Sequence, residues 1–292
     1  MAERTQHRHA GGWGEGGGAM VPGASLRGGP VSAGDHLAAM RQATPRIHLV
    51  TAPGAVAFQA NALLAAGGIP VTVDTREEVT EIAEATAALV IDTAAINGQV
   101  LDAMLWAAEG ARGAGHPWVL DPGGAGATGH RRQPVAALLA RRPTAVLGGA
   151  AEILALASIG VPEGRSAALV GAEVAEAAAA DLARRLGSVV AVTGEIDFVT
   201  DGVDAVLVPG GHALMGRVHA MGAGLSAVAA AFLATGARPF PAVASALAFH
   251  GVAGREAASA ALGPGSFAAA FLDALALIGP DKLDSEARLM PA

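Results

Sequence analysis

From Asp35 onward, short runs of apolar residues alternate with longer Ala-rich stretches. The apolar runs predict strands at 47–51, 71–73, 88–92, 118–121, 145–147 and 189–192. The stretches between them predict helices at 56–66, 77–85, 100–114, 135–141, 152–157 and 172–186. Strands apolar on both faces that alternate with helices indicate βαβ units and a mainly parallel sheet covered by helices, an α/β fold. Residues 198–200 and 205–208 flank Asp201-Gly202 and predict a hairpin, because Asp-Gly suits a type I′ turn. Beyond it the pattern is helical at 222–234, 241–258 and 266–278. No linker or internal repeat interrupts the alternation, so residues 34–292 are read as one domain. Residues 1–33 are Gly-rich, carry Arg and His, lack an apolar core and are read as a disordered tail.

Composition narrows the chemistry. The 292 residues are 52% hydrophobic, enough for a substantial core. A net charge of −7 argues against a nucleic-acid partner. The chain has no cysteine, which excludes disulfides, thiolate nucleophiles and cysteine-ligated metals, and fits a cytoplasmic location. Its single lysine, Lys282, excludes a Walker-type G-K-[ST] loop. The Ala-rich stretches are broken by Gly, Ser, His, Arg and Glu, so no membrane span is expected.

Two small-residue segments carry the candidate chemistry. Asp121 ends a strand and leads into Pro122-Gly123-Gly124-Ala125-Gly126-Ala127-Thr128. A carboxylate there can hold Mg²⁺, and the bare backbone N–H groups, those near Gly126 and Thr128 included, can approach phosphate oxygens. A tight turn with Asp121 as a helix cap is the alternative. Met221-Gly222-Ala223-Gly224-Leu225-Ser226 opens a helix, and a helix N-terminus with glycines in its first turn is an anion site. Close helix packing explains the same glycines equally well. Glu152 begins a helix after the next strand, where it either joins Asp121 around one cation or simply favours the helix dipole. Thr193-Gly194 ends the last parallel strand, suited to a nucleotide or to an ordinary turn. His219, with Arg217, is the titratable group near the glycine turn. Together these segments suggest phosphoryl transfer.

Those segments, in that order, resemble the hydroxyethylthiazole kinase family, which is ribokinase-like. The resemblance runs from about residue 35 to 278. It rests on Asp121-Pro122 with Gly124, Gly126, Ala127 and Thr128, and on Glu152-Ile153-Leu154-Ala155. Val192-Thr193-Gly194-Glu195, Val199-Thr200-Asp201-Gly202, Leu225-Ser226-Ala227-Val228 and Gly263-Pro264-Gly265-Ser266-Phe267 add to it. It implies a ribokinase-like three-layer fold and transfer of the ATP γ-phosphoryl group to the primary alcohol of a small thiazole, in thiamine salvage. It also implies a homotrimer with shared sites. On this reading Asp121 and Glu152 serve Mg²⁺-ATP, Thr193 and Gly194 the nucleotide, Gly222 and Gly224 the anion hole, and Thr51, Gly54 and Val56 the acceptor.

The departures fall where chemistry is expected. The family's Thr-Gly-Thr-Gly-Cys is His219-Ala220-Met221-Gly222-Ala223 here, so Ala223 holds the base position. The family's Arg-Gly-Asn is Leu147-Gly148-Gly149, and its Asn, Ile and Gly after the third strand are Asp92, Thr93 and Ala94. Three readings follow: a kinase with an altered mechanism in which His219 is a candidate replacement base, a catalytically impaired small-molecule or nucleotide-binding protein, or a scaffold recruited to other chemistry.

Overall fold

A computed structural model describes residues 32–159 and 172–292. Nine strands form one sheet in the order β2-β1-β3-β4-β5-β6-β7-β8-β9. The strands are β1 (Arg46–Val50), β2 (Ile69–Val71), β3 (Ala88–Asp92), β4 (Trp118–Asp121), β5 (Ala145–Gly149), β6 (Val189–Thr193), β7 (Ile196–Thr200), β8 (Ala205–Pro209) and β9 (Met290–Pro291). The first six are parallel and the last three join antiparallel.

Alternation along the strands sorts the core into two layers. Ile47, Leu49, Val90, Val119, Leu147 and Ala191 point to one face. Leu89, Ile91, Trp118, Leu120, Val146 and Val190 point to the other. The second face is covered by α3 (Val79–Ala85), α4 (Gly98–Gly113), α5 (Gly129–Leu139), α6 (Ala150–Ala157) and α7 (Ala172–Leu186). The first is covered by α1 (Ala33–Ala43), α2 (Val56–Ala66), α8 (Met221–Leu233), α9 (Pro239–Ala260), α10 (Pro264–Leu277) and α11 (Pro280–Glu286). Every residue of α8 except Gly222 is buried. Its alanines, 227 and 229–231, let its backbone lie close against β1, β3 and β4. The all-round apolar character thus marks a central core helix. No helix among the described residues is long and apolar enough to cross a membrane.

Several sequence expectations shift. The edge strand β2 runs over 69–71 instead of 71–73 and contains Pro70, whose missing N–H is tolerated on an edge. Ser32 and Ala33, assigned to the tail, instead begin α1: Ser32 and Asp35 form a capping box, with Ser32 Oγ accepting the Asp35 N–H at 3.0 Å. The remainder of the expected tail lies outside the described residues. Helix α5 starts at Gly129 and carries Pro134 inside it, six residues before the sequence predicts. The turn at Asp201-Gly202 is not type I′. Thr200 pairs with Ala205 across residues 201–204, and only Gly202 has positive φ. Asp201 Oδ1 there accepts the N–H groups of Val203 and Asp204.

Candidate active site

The chain reverses its direction of growth between β1 and β3, and in open parallel sheets the crevice beyond such a point is where ligands bind. The side chains there form a polar ladder. Thr51, just after β1, donates its hydroxyl to Asp92 Oδ2 at 2.9 Å. Asp92 Oδ1 accepts the Ala94 N–H at 2.8 Å, capping the 3₁₀ turn that follows β3. Asp92 is the register partner of Asp121 on β4. Asp121 Oδ2 in turn accepts the Ser226 hydroxyl of α8 at 3.0 Å. Burial, with the charges of Asp92 and Glu152 beside it, pushes the Asp121 carboxyl up to about 8. Among the described residues no Arg or Lys forms an ion pair with any of these three carboxylates.

Glu152 spends its oxygens on backbone. Oε1 accepts the Gly124 N–H at 2.8 Å, and Oε2 accepts the Gly149 N–H at 2.9 Å, capping α6. It therefore does what a first-turn Glu does and also ties the loop after β4 to β5. Among the described residues no group of three or more His, Asp or Glu is arranged to hold a metal by itself. The donor set nonetheless suits Mg²⁺, which takes one or two carboxylates and completes its shell with water and phosphate oxygens.

At the start of α8 lies a cavity of about 1290 Å³, lined among others by Thr193, Gly194, Asp197, Met221, Gly222 and His250. Asp197 Oδ1 accepts the Gly194 N–H at 2.9 Å and shapes the β6–β7 turn, and burial pushes its carboxyl up to about 6. His250 is 5% exposed, its ring edge-on to Phe271 at 4.9 Å, and burial pulls it down to about 4.

The start of α8 separates the two readings of its glycines. Ala220 takes a left-handed conformation, φ 65°, and turns the chain into the helix. A Cβ on Gly222 would meet nothing within 4 Å, and this exposed residue opens the helix N-terminus to the cavity. Gly224 differs: its Cβ would lie 3.3 Å from Ala62 and Phe58, so this glycine serves the packing of α8 on α2. Ala223 is 7% exposed, and its carbonyl accepts Gln59 Nε2–H at 3.0 Å.

The expected acceptor residues gather on the other flank. Gly54 lies between Thr51 and Val56 on the β1–α2 connection, and a Cβ there would stand 3.5 Å from His219 Nε2. His219 is exposed and stands beside this loop. Gly126 and Thr128 are exposed and do not line the cavity. Gly126, φ 83°, passes so near α6 that a Cβ would sit 2.7 Å from Ala155 Cβ, and Thr128 precedes α5 without a side-chain cap. Sequence reasoning missed Arg131, whose guanidinium reaches the carbonyls of Thr93, Ala94 and Gly123. Its signal was an arginine in the first turn of a helix, where the dipole disfavours a cation.

A doubly covered, mainly parallel sheet with a buried acidic residue at its strand ends and an open helix N-terminus beside it is the architecture of ribokinase-like kinases. A ribokinase-like superfamily protein from Enterococcus faecalis superposes with a TM-score of 0.59 at 13% identity, covering 80% of this chain and 88% of that one. Pyridoxal kinase from Staphylococcus aureus in complex with ADP gives 0.53 at 17% identity, over 70% and 85%. At those identities the likeness is one of fold. The chain belongs to the hydroxyethylthiazole kinase family, whose model matches residues 37–281. It is 47% identical over 259 residues to a hydroxyethylthiazole kinase of Cereibacter sphaeroides, covering 89% of this chain and 98% of the relative. It is 45% identical to one of Rhizobium johnstonii, over 89% and 97%. The hydroxyethylthiazole kinase protein structure from Pyrococcus horikoshii OT3 superposes with a TM-score of 0.83 at 33% identity, over 89% and 98%.

Proposed function

We propose that this chain transfers the γ-phosphoryl group of ATP to the primary alcohol of hydroxyethylthiazole, a thiamine-salvage step. The observation that carries the reading is helix α8. Its first turn opens into the cavity at Gly222, and one turn later Ser226 bonds Asp121 at the strand ends. One rigid element therefore spaces a nucleotide cavity from an acidic cation site.

When bound, Mg²⁺-ATP supplies the phosphoryl donor and the cation that offsets its charge. Thr193 and Gly194 line the nucleotide's cavity. The backbone N–H groups of Gly222 and Ala223 at the helix N-terminus would meet the transferring group. Asp121, with Glu152 holding the loop behind it, is the carboxylate that would hold Mg²⁺, and in that role it would give up the proton that burial favours. Thr51, Gly54 and Val56 border the acceptor. Ala223 offers no proton acceptor, so the alcohol's proton leaves to solvent, to the nucleotide or to His219 beside the β1–α2 loop. A positioned base contributes roughly 10²–10⁴-fold, so its loss slows the reaction without abolishing it.

Calorimetric titration with Mg²⁺-ATP, followed by ADP release with hydroxyethylthiazole, tests this. Binding plus acceptor-dependent release supports it, and absence of nucleotide binding refutes it. Ala223 also favours a second reading, a nucleotide-binding protein without turnover, which binding with no release under any alcohol would select.

A further inference from the structure

The peptide group between Gly123 and Gly124 is held at both ends. Its carbonyl accepts Arg131 Nη1–H at 3.0 Å, and its N–H donates to Glu152 Oε1 at 2.8 Å. The same guanidinium donates from Nη1 to the Thr93 carbonyl at 2.6 Å and from Nη2 to the Ala94 carbonyl at 2.8 Å. One planar group thus ties the turn after β3 to the loop after β4, and Asp92 and Asp121 end those two strands. Glu152 extends the tie to β5 through Gly149. The arrangement has a cost: Arg131 is the third residue of α5, where a cation opposes the helix dipole by about 0.3–1 kcal/mol. Gly124 in turn holds φ at +72°, with the guanidinium 3.2 Å from where a Cβ would be.

We infer that Arg131 is a positioning residue of the phosphotransfer site, locking the loop behind Asp121 through the Gly123–Gly124 peptide without touching the nucleotide. The inference rests on the phosphotransfer reading above. Three carbonyls from two loops need a rigid planar fork of donors, which arginine has and lysine lacks. With the fork gone, the peptide keeps its Glu152 bond and the Thr93 hydroxyl that donates to the Gly123 carbonyl at 3.2 Å, while the three guanidinium bonds that brace the two loops are lost. Asp121 then keeps its Ser226 bond to α8 but loses the braced loop behind it, and with it part of its fixed placement. Outer-shell partners of this kind are worth about 10–100-fold in metal affinity or activity.

The test compares wild type, Arg131→Ala and Arg131→Lys by calorimetry with Mg²⁺-ADP and with metal-free ADP, alongside thermal midpoints and the Mg²⁺ dependence of turnover. Both variants are expected to bind Mg²⁺-ADP about 10–100-fold more weakly and metal-free ADP much as wild type does. Lysine should rescue little. Wild-type Mg²⁺-ADP affinity in either variant overturns the inference, as does equal weakening with and without metal. Should Arg131→Ala fail to fold, Arg131→Lys decides alone on the same criteria. Failure of the wild type itself to bind Mg²⁺-ADP removes the phosphotransfer reading and this inference with it, a pattern distinct from failure of the variants alone.

Discussion

Asp121→Asn separates what the carboxylate does for function from what it does to stability. Burial and the charges of Asp92 and Glu152 raise this carboxyl from its ordinary 3.8 to about 8. A group raised on folding contributes its full stability below 3.8 and loses it as pH climbs through about 8, because the unfolded chain ionises first. At roughly 1.4 kcal/mol per pKa unit, the rise corresponds to on the order of 6 kcal/mol lost across that window. Water reaching the partly exposed residue screens some of this, leaving about 2–4 kcal/mol. Asparagine keeps the shape and a carbonyl oxygen for Ser226 and removes the ionisation. The variant should therefore melt about 5–10 °C higher than wild type at pH 8, converging with it near pH 4. It should also lose most Mg²⁺-dependent nucleotide binding. Scanning calorimetry across pH 4–8, with and without Mg²⁺-ADP, reads both effects. Equal or lower melting at pH 8, or intact Mg²⁺-ADP affinity, would refute the placement of a strained, cation-seeking carboxylate at this strand end.

Other consequences are simpler to check. Arg41 donates to the carbonyls of Ala66, Leu275 and Ile278 at 3.1, 2.7 and 2.8 Å, capping the ends of α2 and α10 together. Arg41→Met should cost about 2–4 kcal/mol in urea unfolding while leaving nucleotide affinity alone, and a loss under 0.5 kcal/mol would contradict this. His250 is held near 4, below its ordinary 6.5, so the unfolded chain takes up the proton first and stability falls as pH drops from about 6.5 to about 4. His250→Gln should remove about 3 kcal/mol of that fall in denaturation midpoints, and an unchanged pH slope would sink the assignment. Ala223→Asp should raise turnover and His219→Ala should lower it if His219 takes the alcohol's proton; steady-state rates indifferent to both place the proton elsewhere. The family resemblance implies a trimer, and α10 is flanked by Leu262 and carries Leu277, both exposed. Light scattering that reports a monomer at micromolar concentration would contradict it.

The alternation of apolar runs made the parallel sheet legible, because a strand buried on both faces leaves no polar positions. Strand order was not legible: nothing in the residues of β2 says that it pairs outside β1 and so creates the switch point beside Thr51 and Asp92. Helix α1 was hidden by its closeness to a Gly-rich stretch, and its capping box of Ser32 and Asp35 was the overlooked cue. Local sequence also could not tell Gly222 from Gly224, since one faces a cavity and the other faces Phe58 and Ala62 of a helix about 160 residues earlier. Asp121 stood out in the sequence because a carboxylate at a strand end is chemically conspicuous. Ser226 and Arg131 were not assigned roles, because their partners lie 105 residues away in one case and are backbone carbonyls in the other.

The central claim is phosphoryl transfer at a site joined by α8. Phosphorus NMR of the protein with Mg²⁺-ATP and hydroxyethylthiazole addresses it most directly. A slowly growing phosphomonoester signal is expected, matched by ADP, dependent on both acceptor and protein, and lost in Asp121→Asn. No phosphomonoester over hours at stoichiometric protein, with Mg²⁺-ATP demonstrably bound, would contradict it.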